Sequence, residues 1–191
     1  MYPGCWLTLD GILPHDWVRG ARLGGIREVA LEMAEVCGIR DGDCIVGSSL
    51  GGMVACEISK IRHIPKLFLV GSALRKEEIS RVLAAVRPLA AVVPIGLVKR
   101  FAGMMPGEHF AMFSAADPLF VRSMCRAVFE WEGGFGSRTE VLRIHGRHDL
   151  VIPAPSQVDL LLDGGHLISM THADQCVGFI RSRRSVGSKS S

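Results

Sequence analysis

Three residues far apart in the chain carry the groups that acyl transfer needs: a hydroxyl at Ser49, a carboxylate at Asp149 and an imidazole at His166. Ser49 is the centre of Gly47-Ser-Ser-Leu-Gly51, between a short apolar run, Cys44–Val46, and a helix-compatible segment, Gly52–Ile61. A serine on a sharp strand-to-helix turn has its hydroxyl lifted clear of a sheet. The first N–H of the following helix, here that of Leu50, faces a developing oxyanion. Gly47 and Gly51 carry no Cβ where backbone and helix crowd together. The bare G-x-S-x-G pattern is weak in a sequence with 22 glycines, because chance supplies it. Its weight comes from the two segments that follow.

The apolar run Glu140–Ile144 leads into His145-Gly-Arg-His-Asp149-Leu-Val-Ile-Pro153. A carboxylate just beyond a buried strand lies on the loop at its carboxyl end, where it can orient an imidazole and stabilise the imidazolium. The next run, Val158–Leu162, delivers Asp163-Gly-Gly-His166, and the small glycines leave room for the ring to reach Ser49. There it would act as general base and then acid. The bland alternatives are a turn-capping Asp149 and a satisfied loop histidine at 166. His145 and His148 flank the acid without a third ligand at metal spacing, so they read as structural or solvent-facing. No metal or cofactor is called for. His172 and Asp174 fall on a closing helix and are reserve candidates.

These residues need a scaffold, and the pattern around them supplies strands alternating with helices. Ile26–Val36 has helical spacing, with Ile26, Val29, Ala30, Met33 and Val36 on one face and Gly38 as a stop. Trp6–Leu9 reads as a short strand, and Pro65–Val70 as a buried one. Strands separated by helices predict a parallel sheet with right-handed crossovers. Amphipathic stretches at Glu77–Leu89 and Pro118–Phe129 interrupt the rhythm. They divide the chain into a core, 1–72 and 139–180, a helical cap insertion, 73–138, and a disordered basic tail, 181–191. The cap is predicted to cover the sheet's carboxyl edge, where ligands bind in open α/β sheets. Met104, Met105, Met112 and Phe113, with Phe110 and Phe120, predict an apolar pocket, although each alone reads as cap core.

A chain of 191 residues is most simply one domain, and 48% hydrophobic with 21% charged residues is a globular composition. The net charge of +3 resides in the tail. Without the four basic residues of 181–191, 18 basic residues face 19 acidic ones, a net charge of −1. A nucleic-acid partner has little support. The six cysteines, Cys5, Cys37, Cys44, Cys56, Cys125 and Cys176, show no CxxC spacing and fit a reduced, cytoplasmic setting. No secretory signal opens the sequence. The longest apolar stretch, Leu89–Val98, contains Pro94 and is too short to span a bilayer.

Residues 43–56, 140–153 and 158–170 resemble the elbow, acid turn and histidine turn of α/β-hydrolases. They are most similar to short bacterial members with the cadence GxSxGGM, HGxxDxxIP and GGH. The resemblance runs from about Leu7 to Ile180, loosely over the cap, and the order Ser49, Asp149, His166 matches that of the family's triad. It implies a reduced, mostly parallel sheet with flanking helices and a cap. The implied activity is hydrolysis of a small carboxylic ester or thioester by Ser49, His166 and Asp149, with Leu50 as an oxyanion donor.

Two departures stand out. Pro153–Gln157 leaves no room for the usual helix between the acid and histidine strands. The amino end is also short, since family members carry about three strands' worth of sequence before the segment that here begins near Trp6. The neighbour of the elbow strand is therefore missing. Trp6–Leu9 fills the slot and brings the Gly11 or Ile12 N–H near Ser49, or a second subunit covers the open edge as a homodimer, or the chain is truncated. The shortfall also keeps open a non-catalytic relic that binds a ligand or protein.

Overall fold

The run Lys66-Leu-Phe-Leu-Val70 is apolar on both of its faces, the pattern of a parallel strand covered from two sides. In the computed structural model, which describes residues 3–17, 24–80 and 118–184, it is an inner strand. The sheet order is β1 (Ile45–Ser48), β2 (Lys66–Val70), β3 (Glu140–Gly146) and β4 (Leu160–Leu162), all parallel. Ser48 lies level with Val70, and Val70 with Ile144, so the segments after β1, β2 and β3 emerge at one edge.

Helices cover both faces. On one, α1 (Ile26–Val36), α2 (Leu50–Ile61) and α3 (Pro118–Glu130) enclose Leu67 and Leu69. On the other, Phe68, Val70, Leu142, Ile144 and Leu162 pack against Cys176, Val177 and Ile180 of α5 (Ala173–Arg184). A short α4 (Ile168–Thr171) precedes α5. The α1 boundaries are those its periodicity predicts. Its buried stripe is Ile26, Val29, Ala30 and Ala34, whereas Val36 is 65% exposed.

The amino-terminal segment differs from expectation. Gly4–Thr8 is a 3-10 helix, not a strand. Trp6 and Leu9 are buried in the α5-side core while Leu7 is 67% exposed. The Trp6 indole N–H donates to the Ser169 carbonyl at 2.8 Å, which docks the segment on the helical layer. Trp6–Leu9 therefore does not fill the slot beside the elbow strand. Among the described residues β1 pairs with β2 alone.

The stretch expected to form the cap is described only at its ends. Residues 76–78 form a 3-10 turn, and Met124 and Ala127 of α3, with Trp131 just beyond it, are buried in the core shared with α1 and α2. The residues from 81 to 117, and with them Met104, Met105, Phe110, Met112 and Phe113, lie outside the described residues. The side chain of Phe120 is likewise outside them. The basic tail begins inside α5, which runs to Arg184 rather than ending before Arg181. Arg181 donates to the Thr8 carbonyl at 3.0 Å, and cations in a last turn suit the helix's negative end. Among the described residues no helix is long and apolar enough to cross a membrane.

Candidate active site

β1 ends at Ser48 and α2 begins at Leu50, so the chain reverses within Ser49. Its backbone sits at φ 51° and ψ −123°. Among the described residues it is the non-glycine with positive φ. Such a conformation costs about 1–3 kcal/mol and persists only where surrounding structure enforces it. Three hydrogen bonds do so: Ser49 N–H to Val70 O at 3.1 Å, Gly52 N–H to Ser49 O at 3.0 Å, and Ser72 Oγ–H to Ser49 O at 2.7 Å. The turn also requires a bare Gly47, where a Cβ would lie 2.5 Å from Gly52 Cα and 2.6 Å from Gly51 O.

The structure brings Ser49, His166 and Asp149 together. Ser49 Oγ is 2.8 Å from His166 Nε2, and His166 Nδ1 is 2.8 Å from Asp149 Oδ2. A carboxylate can only accept, so Nδ1 carries the proton and Nε2 offers a lone pair to the serine hydroxyl. The Asp149 side chain is fully buried and its other oxygen accepts the N–H groups of Val151 and Ile152, each at 2.9 Å. Burial pushes this carboxyl up. Hydrogen bonds from His145 and His166, the charge of His166 and the Ile152 N–H outweigh that and hold it well below the usual carboxylate range.

The histidine turn is set by packing at Gly164, where a Cβ would meet the His172 ring at 2.6 Å. Gly165 has open space, with His148 O at 3.9 Å, so only the first of the two glycines is needed for room. Ser48 Oγ donates to Ser169 Oγ at 3.0 Å, tying the elbow strand to α4, which follows His166.

The other expected residues have the following places. The Leu50 N–H is in the first turn of α2, whose leading N–H groups have no intrahelical acceptor. The Ile12 N–H is engaged with Leu9 O at 3.2 Å, and Gly11 is an exposed turn residue with φ 67°. His172 packs on Gly164 and bonds Thr171 Oγ1 at 2.8 Å, and Asp174 is in the first turn of α5 beside Cys5. Neither touches Ser49 or His166 through a hydrogen bond. His148 is exposed and bonds Asp163 at 2.9 Å, whereas His145 is buried against the acid. Ser72 is the supporting residue that sequence reasoning missed. Its position directly after Gly71, the glycine that follows β2, was the available signal. Burial pushes the thiols of Cys56 and Cys176 up to about 12, which removes both as nucleophiles at neutral pH.

No family model and no curated protein matches this sequence. Solved structures match it in shape. An esterase from Thermogutta terrifontis superposes with a TM-score of 0.58 at 20% identity, over 84% of this chain and 72% of that one. An enol-lactonase from Burkholderia xenovorans gives 0.64 at 17% identity, over 84% and 73%. A bromoperoxidase from Bacillus anthracis gives 0.61 at 16%, over 87% and 75%. Together with the parallel sheet and its flanking helices, these likenesses establish the α/β-hydrolase fold. Their differing names accord with the rule that function lives in sites rather than folds.

Proposed function

We propose that the protein is a serine hydrolase that cleaves a carboxylic ester or thioester through an acyl-enzyme. The observation that carries this reading is the unbroken hydrogen-bonded line from Ser49 Oγ through His166 to the buried Asp149. In the proposed cycle His166 Nε2 takes the serine proton as Ser49 attacks the substrate carbonyl, and the Leu50 N–H binds the oxyanion. Asp149, ionised and fixed by two backbone N–H groups, stabilises the imidazolium. His166 then protonates the leaving alcohol or thiol, and water releases the acid by the same steps in reverse. Met104, Met105, Met112 and Phe113 are assigned to an apolar acyl pocket on their composition. The likeness to an esterase and an enol-lactonase supports an ester-type small-molecule substrate.

The test is turnover of p-nitrophenyl esters of graded acyl length by the wild type and by Ser49→Ala. The reading expects wild-type hydrolysis and a loss on the order of 10^4-fold or more in the variant. Equal rates would refute it.

A second reading, a non-catalytic binding module on the same fold, is favoured by one observation. The Ile12 N–H, expected as a second oxyanion donor, is spent on Leu9 O. Loss of one oxyanion donor typically costs about 10^2–10^3 in rate. That reading expects no turnover across the ester panel from a folded protein.

A further inference from the structure

His145 is the buried titratable group that the cycle above does not use. It stands one residue before the end of β3, is 1% exposed, and lies beside Asp149. Its Nε2 is 2.7 Å from the Ile152 carbonyl, which can only accept, so Nε2 bears hydrogen. The same atom is 3.5 Å from Asp149 Oδ2. Its Nδ1 is buried without a partner. An orphaned buried polar atom costs about 1–3 kcal/mol, so the imidazole must gain elsewhere what it loses there.

The gain is visible in the acid turn. Asp149 Oδ1 accepts the Ile152 N–H while His145 donates to the Ile152 C=O, so Ile152 is held on both sides. With Oδ1 committed to Val151 and Ile152, Oδ2 is left to face His166 Nδ1. The positive end of the His145 N–H dipole lies beside that same Oδ2, which favours the ionised acid. We propose that His145 is a positioning residue, bracing the Asp149 turn from β3 so that Oδ2 stays aimed at His166. This rests on the hydrolase reading for its kinetic consequence but not for its geometry.

The test uses the full chain with His145→Leu, which removes the donor, His145→Gln, whose amide N–H replaces Nε2–H, and His145→Asn, whose amide is too short to reach. Two readouts are taken from each folded variant: ester kinetics and the downfield proton resonance of His166 Nδ1–H. Bracing predicts a kcat loss on the order of tenfold to a hundredfold for Leu and Asn with KM unchanged. It predicts recovery to within about threefold of wild type for Gln. It also predicts that the resonance weakens or shifts upfield in Leu and Asn and is retained in Gln. If Leu does not fold, the Gln–Asn contrast decides. The proposal is overturned if Leu lowers only the melting temperature, or if Gln is no better than Asn. Should the wild type hydrolyse nothing, the hydrolase reading fails, and the resonance alone still decides whether His145 holds the pair.

Discussion

The hydroxyl of Ser72, on the loop leaving β2, donates to the main-chain carbonyl of Ser49 at 2.7 Å and is itself fully buried. The loop after the neighbouring strand thus grips the strained residue of the elbow at its backbone and leaves the Ser49 side chain free to meet His166. Ser72→Ala removes that grip while the Gly52 N–H still holds the carbonyl. The expected result is a stability loss of about 1 kcal/mol by chemical denaturation. A fall in ester turnover on the order of tenfold should accompany it as the elbow loosens.

Gly47 in the elbow and Gly165 in the histidine turn should respond differently to a methyl group. Gly47→Ala puts a methyl against the backbone of Gly51 and Gly52, which cannot move without dismantling the turn. We expect about 1–3 kcal/mol of destabilisation and lost turnover in whatever folds. Gly165→Ala meets only His148 O at 3.9 Å and should stay within about 0.5 kcal/mol of wild type. Thermal melts of both variants, run beside ester assays, check the contrast.

Asp149 gives a pH prediction with a defined sign. Its folded carboxyl lies below the ordinary value of about 3.9, so its stabilisation is complete above that value and is lost as pH falls through the folded one. The stability gap between wild type and Asp149→Asn should therefore narrow between about pH 5 and pH 2, below the range where histidines ordinarily titrate. Urea unfolding across that range measures it. A gap that widens on acidification would mean the carboxyl is raised, contrary to its hydrogen bonds. At neutral pH the same variant should lose about 10^3–10^4 in kcat, because the imidazole is no longer held in the required tautomer.

Cysteine chemistry should be silent at the core. Cys56 and Cys176, buried and pushed up to about 12, should resist iodoacetamide at pH 7.5 in the native protein, while exposed Cys44 reacts. Peptide mapping before and after unfolding distinguishes the sites. Rapid native labelling of Cys56 would contradict the packing of α2.

Much of the site's placement was legible because Ser49, Asp149 and His166 each follow an apolar run at a strand end, and parallel strands bring such ends to one edge. The bounds of α1 were legible from its period, although Ala34 rather than Val36 completes its buried stripe. Trp6–Leu9 was misread because four residues cannot separate period 2 from period 3. The buried pair, Trp6 and Leu9, has the three-residue spacing of a 3-10 turn. The amphipathic pattern of Pro118–Phe129 likewise predicted a helix, but not that Met124 and Ala127 would join the α1–α2 core. The bracing proposed for His145 depends on burial and on a carbonyl seven residues on, neither of which local pattern encodes.

The proposed function requires Ser49 to be a reactive nucleophile. Treatment of the native protein with a fluorophosphonate, followed by digestion and mass spectrometry, tests it most directly. The proposed triad predicts one stoichiometric adduct on the peptide bearing Ser49, absent from Ser49→Ala and strongly slowed in His166→Ala. An unmodified Ser49 in folded protein, or an adduct that persists in Ser49→Ala, would contradict it.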